Sequence, residues 1–183
     1  MALENAAELA AVLDRRERLG LVFARHAYGM RAWVDLFSAR VASIEDPEAK
    51  ALVATLVADN ARHMLLFRAR ARADGVDPDA YVAPDEGEAI YRRLDELSDV
   101  DELLGYAIGS LDHFDQLLFV YRAAADGEDA DAIDSVRGDV ARALHQLRPM
   151  VDTDADAERL AAEAHELYRR RELVETPRYV HGG

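Results

Sequence analysis

From Leu3 to Ile44 the chain runs without a proline, and its apolar residues recur at Leu9, Val12, Leu13, Leu19, Phe23, Met30, Trp33, Val34, Phe37 and Val41. Steps of three and four residues gather such positions on one side of an α-helix, whereas a strand would need alternation. The spacing predicts a first helix over 3–44. Asp46 followed by Pro47 supplies an N-cap and a proline at the first helical position, so a second helix is expected over 47–74, ended by Gly75. Turn signals at Gly75-Val76-Asp77-Pro78 and Ala83-Pro84-Asp85 frame a crossover of 25 residues, Gly75 to Asp99. It carries a short helix over 85–97, opened by the capping pattern Asp85 with Glu88. Tyr81 and Tyr91 are expected to pin this crossover onto the rest of the fold. Further helices are expected over 100–125, which holds the most apolar stretch, over 129–148, stopped by Pro149, and over 153–173. The predicted class is all-α: a four-helix bundle with one long crossover between helices two and three and an additional C-terminal helix, one domain over 1–173. The tail, 174–183, contains Pro177 and is expected to be extended or mobile.

Composition narrows the function classes. The 183 residues include no cysteine, which removes thiolate metal sites, iron-sulfur clusters and thiol nucleophiles. The formal charge of −14 opposes binding to nucleic acid and to anionic membranes, both of which need clustered cations. The longest uncharged stretch, Leu103 to Leu111, falls well short of the roughly 20 apolar residues that span a bilayer. Glu4 and Glu8 stand where a secretion signal carries Lys or Arg, so a cytoplasmic protein is expected.

Chemistry is suggested by four histidines, one in each long helix: His26, His63, His113 and His145. His26 lies 20 residues before the turn near residue 46 and His63 17 after it; His113 lies 15 before the turn near residue 128 and His145 17 after. At about 1.5 Å of rise per residue each pair is level across its hairpin to within about 5 Å. Asp59 and His63, four apart, share one helix face and form a chelating pair. Asp112 and Asp115 flank His113 inside the most apolar helix, where carboxylates are costly unless paired or bound to metal. Among weaker signals, Gly105-x-x-x-Gly109 reads as a place where two helices approach closely. Arg169-Arg170-Arg171 reads as a solvated helix end, and Glu163, His165 and Glu166 as an exposed amphipathic face.

The arrangement resembles the ferritin-like superfamily, in which two helices each give one Glu and two others each give Glu-x-x-His to a pair of iron or manganese ions. The resemblance covers topology from about residue 5 to 150. It maps the two motif histidines onto His63 and His145, while Asn60 and Arg142 stand in the places of their glutamates. The lone glutamates would fall near His26 and near Asp112 or His113. This implies a His-rich site drawn from His26, Asp59, His63, Asp112, His113 and His145, holding Fe or Mn for oxidation of a small-molecule substrate. The opposing reading keeps the fold without the metal. Arg142 then pairs with Asp112 or Asp59, the histidines join a buried hydrogen-bonded network, and the bundle serves as a ligand-binding or interaction module. The apolar stripe over Leu3 to Leu21 outruns the partner helices, which points to a homodimer.

Overall fold

The computed structural model describes residues 16–151 and 155–181. It is all-helical, with six α-helices and no strand among the described residues. These are α1 (Arg16–Val41), α2 (Pro47–Ala73), α3 (Asp85–Glu96), α4 (Val100–Ala124), α5 (Gly127–Leu147) and α6 (Ala155–His181), with 3-10 turns at Pro78–Ala80 and Arg148–Met150. None of these helices is long and apolar enough to cross a membrane.

Local chemistry sets most of the boundaries. Asp46 caps α2 by accepting from the Ala49 amide at 2.7 Å, and Pro47 occupies the first turn, where an amide would have had no partner. Gly75 ends that helix with φ of 83°, a conformation costly for any residue with a β-carbon. Asp99 caps α4 through the amides of Asp101 and Glu102. The expected capping pair at Asp85 and Glu88 does not form. Pro84 holds the N-cap position, where its ring offers no acceptor, and the Glu88 carboxylate accepts from the Tyr28 hydroxyl instead. The segment between α2 and α3 is fastened by a two-pronged Arg68–Asp79 pair, with both contacts at 2.7 Å, and by the Tyr81 hydroxyl, which donates to Glu175.

Helix α1 lies along α2, α5 packs on α2 and α4, and α3 bridges α1 and α6. The C-terminal helix is a principal partner of α4, more extensive than α5. Two glycines on α4 explain the intimacy of that contact. A β-carbon at Gly105 would stand 2.7 Å from the Ala157 Cα, and one at Gly109 would stand 2.0 Å from the Ala161 carbonyl oxygen. The core is aromatic where α1 meets its neighbours: Phe23 lies 4.9 Å from Phe67, and Trp33 stacks on Phe37 at 4.6 Å.

Three expectations need correction or restriction. Residues past Leu173 are not an extended tail, since α6 continues through Pro177 to His181 and Glu175 is 1% exposed. The reason is tertiary, because Glu172 and Glu175 are both held by Arg25 of α1. The arginine run is divided: Arg169 and Arg170 are exposed and pair with Glu166, whereas Arg171 is buried. Of the stripe expected to mediate a homodimer, Leu9, Val12 and Leu13 lie outside the described residues, and Leu19 is buried within the fold.

Candidate functional site

Between α1, α4 and α6 lies a buried polar cluster around Arg25. Its Nη1 donates to Glu172 at 2.8 Å and to Glu175 at 3.0 Å, and its Nη2 donates to His26 Nε2 at 2.8 Å and to the Tyr121 hydroxyl. A guanidinium has only donors, so His26 Nε2 must be the unprotonated nitrogen. That agrees with the direction of its pKa, which burial, then Arg25, Arg171 and His113, push well below the ordinary histidine value. Arg171, one helical step from Glu172, donates to the same carboxylate at 2.9 and 3.3 Å and lies 4.8 Å from the Tyr168 ring. Burial alone would raise the Glu172 carboxyl; Arg25 and Arg171 reverse this and hold it at about 2. Burial and Arg25 also push the Arg171 guanidinium down, but Glu172, Tyr91 and Glu175 more than offset them.

His113 completes the cluster from α4. Its Nδ1 faces His165 Nδ1 at 3.2 Å, its Nε2 is buried and makes no hydrogen bond among the described residues, and burial lowers its pKa to about 3. His165 is therefore no member of a solvated face but a half-buried partner of His113. Beside the cluster, a cavity of about 40 Å³ lies among His26, Trp33, Tyr91, Ser110, Tyr168 and Arg171.

A second polar group joins α2 to α5. Asp139 accepts from His63 Nε2 at 2.8 Å, from Arg62 at 2.6 Å and from Arg142 at 2.6 Å. Burial opposes these donors, but they hold its carboxyl at about 2. Asp59 takes the remaining reach of Arg62 at 2.7 Å and of Arg142 at 3.3 Å. Burial lowers the His63 pKa, with partial compensation by Asp139. Asn60 donates back to the Leu56 carbonyl at 2.8 Å.

The six candidate ligands are thus divided. His26 and His113 belong to the first cluster and Asp59 and His63 to the second. Asp112 pairs with Arg148 at 2.6 Å near the surface, and His145 is exposed, because α5 turns Asp139, Val140, Ala143 and Leu144 inward instead. Level histidines therefore do not meet. Arg142 pairs with Asp59 as one reading expected, though not with Asp112, and its main partner is Asp139.

Iron or manganese does not fit these side chains. Nε2 of His26, Nε2 of His63 and the carboxylates of Asp59 and Asp112 are all engaged, three of the four by arginine. A guanidinium beside each would repel a divalent cation. Among the described residues no three His, Asp or Glu side chains converge closely enough to hold a metal ion.

Sequence reading overlooked Arg25, Tyr121, Asp139, Glu172 and Glu175, and placed Arg171 in a solvated run. A signal was present for Arg171, Glu172 and Glu175: with Tyr168 they continue the face of Leu160 and Ala164 at helical spacing, and Glu175 carries it past Leu173, where the helix was expected to stop.

Two expected results follow from this geometry. His113 titrates near 6.5 in the unfolded chain and about 3 in the fold, and His26 shifts the same way. Between those values the unfolded chain binds more protons, so stability falls as pH drops, by up to about 1.4 kcal/mol per pH unit for each histidine. Glu172 and Asp139 add a loss in the same direction as pH falls from their ordinary range towards 2. Urea unfolding at pH 7, 6 and 5 measures this, and His113→Asn should flatten the trend; equal stability at all three would disprove the buried neutral histidines.

The second result concerns Arg142. Its side chain is 50% exposed, and Asp139 keeps Arg62 and His63 without it. Arg142→Ala should therefore cost less than about 1 kcal/mol in the same assay. A larger loss would mean that Asp139 depends on this arginine.

No known protein family, curated protein or solved structure matches this chain.

Proposed function

We propose that this chain is a ferritin-like four-helix bundle with a long crossover that has exchanged metal for arginine, and that its interior binds a small molecule. The observation that carries this reading is the Arg25 guanidinium, ringed by Glu172, Glu175, His26 and Tyr121. Two carboxylates, a histidine nitrogen and a phenol oxygen are the kinds of donor that would surround a hard cation. Here the cation is part of the chain. With Arg171 opposing the same two acids, the cluster is electrically balanced and leaves no demand for a metal charge. The adjoining cavity, lined by aromatic rings and a few polar groups, has the mixed character of a small-molecule site. In this reading the protein is a cytoplasmic homodimer and a binding module.

Native mass spectrometry of protein purified without chelator tests both parts. The expected mass is that of two chains and no metal. A stoichiometric Fe, Mn or Zn that disappears in His63→Ala would overturn the reading in favour of a metal-dependent oxidoreductase, and a single 20.3 kDa chain would remove the dimer.

A further inference from the structure

The contact between α4 and α6 changes character halfway along. In its first half the helices meet backbone to backbone, Gly105 against Ala157 and Gly109 against Ala161. One turn further on, at the same spacing, His113 Nδ1 faces His165 Nδ1 at 3.2 Å. Beyond that pair α6 is inverted: Tyr168, Arg171, Glu172 and Glu175 are buried, while Leu173 and Val174 are 43% and 36% exposed. This half of the helix is held chiefly by polar bonds, from Arg25 to Glu172 and Glu175, from Trp33 to Tyr168 and from Tyr81 to Glu175. Segments with few apolar contacts open at lower free energy than the core.

The histidine pair governs that half through its protons. Only one hydrogen fits between the two Nδ1 atoms, since two N–H groups would meet head-on and two lone pairs would repel. If His165 donates, the hydrogen of His113 must sit on Nε2, which is buried and has no partner among the described residues. If His113 donates, its Nε2 carries only a lone pair, and the hydrogen of His165 lies on Nε2 of a half-buried ring. Orphaned buried N–H groups are the rarer of the two in proteins, so the neutral pair takes the second form. A proton added to His165 removes its Nδ1 acceptor and forces the first form. A proton added to His113 joins Arg25 and Arg171 in facing Glu172, an unmatched positive charge. The other groups on the packed helices are already matched. His26 of α1 is bonded to Arg25, and Tyr168 of α6 accepts from Trp33. On α6 itself Glu166 pairs with Arg169 and Arg170, and Glu163 with Arg93 of α3. Arg137 and Arg148 of α5 pair with Asp115 and Asp112 of α4. We infer that the C-terminal half of α6, from His165 onward, is an acid-released strap: protonation of the His113 and His165 pair frees it from α4 and α1 while the glycine-packed half stays in place. The strap carries Tyr168 and Arg171, which line the cavity beside Arg25, so its release opens the interior to solvent. This release follows from the pair and does not depend on what the cavity binds.

Hydrogen exchange of the full chain at pH 7.0 and 5.5, corrected for the pH dependence of exchange itself, reads this release turn by turn. Protection over residues 165–175 should fall by up to about tenfold for each histidine of the pair, because an imidazole freed to water takes up its proton at about pH 6.5. Over 157–164 it should fall only as far as it does in α2. A loss spread evenly along α6, or no loss, would overturn the strap. His165→Asn keeps an acceptor where Nδ1 stood and binds no proton, so one of the two factors should disappear in it. A fall as large as in the unaltered chain would overturn the histidine pair as the trigger. If His165→Asn does not fold, the tautomer decides the matter in the unaltered chain. Long-range proton–nitrogen NMR spectra at pH 7.0 should show the hydrogen of His113 on Nδ1, and a hydrogen on Nε2 would overturn the inference.

Discussion

Replacing Arg25 with alanine is expected to destabilise the protein by about 3 to 5 kcal/mol, the range seen when one member of a buried ion pair is removed and its partner is left uncompensated. Arg25 is 1% exposed and is the shared cation of Glu172 and Glu175. Its loss would leave Arg171 alone against two buried carboxylates, with one of its contacts at 3.7 Å. It would also leave His26 Nε2 and the Tyr121 hydroxyl, both buried, with only each other, 3.2 Å apart. Because the pair joins α1 to α6, the effect should extend beyond stability: exchange protection in α6 should fall more than in α2. A double variant, Arg25→Ala with Glu172→Gln, should recover part of the loss, since one of the two stranded charges is then neutral. Denaturant unfolding of Arg25→Ala, Glu172→Gln and the double variant gives the coupling. A cost under 1 kcal/mol for Arg25→Ala would show that the cluster is hydrated and that its charges need no partner.

The other large effect is expected from a single methyl group. Gly109→Ala would place a β-carbon 2.0 Å from the Ala161 carbonyl oxygen and 2.6 Å from its Cα and carbonyl carbon, all of them backbone atoms of a facing helix. No side-chain rotation relieves such an overlap, so α4 and α6 must separate. Overpacked cores usually lose about 1 to 3 kcal/mol, and a clash with backbone belongs at or above the upper end. Gly138→Ala is the matched control, because a β-carbon there meets nothing within 4 Å and alanine favours the helix. Thermal unfolding should therefore place Gly109→Ala far below the wild type and Gly138→Ala at or slightly above it. Similar values for the two would refute the close approach of α4 to α6.

These two sites mark the line between what the chain declares locally and what it does not. The breaks at Pro47 and Gly75 were legible because each depends on a few adjacent residues, a capping Asp46 and a glycine that the structure holds at positive φ; the start near Val100 was expected from periodicity, and the structure adds Asp99 as its cap. The close contact through Gly105 and Gly109 was legible as a motif, although its partner, the face of Ala157 and Ala161, was not. The end of α6 was misread because Pro177 is a local signal to stop, and the force that opposes it comes from Arg25, 147 residues before Glu172. Spacing also brought the four histidines level along the helix axes, but level is only one of two coordinates. The rotation of α5, set by burying Ile133, Val136, Val140 and Leu147, turns Asp139 towards His63 and leaves His145 in solvent.

The sequence by itself therefore determined the helical class, the six helices found among the described residues, most of their described ends and the need for buried polar groups to be satisfied, since periodicity and capping act within a few residues. Only the tertiary structure decided which polar groups face one another. Arg25 with Glu172 and Glu175, and Asp139 with His63, Arg62 and Arg142, are partners across helices. A pair of charges in the interior is worth its desolvation only at hydrogen-bond distance, and that distance is fixed by how the helices rotate and approach, which no stretch of a single helix encodes.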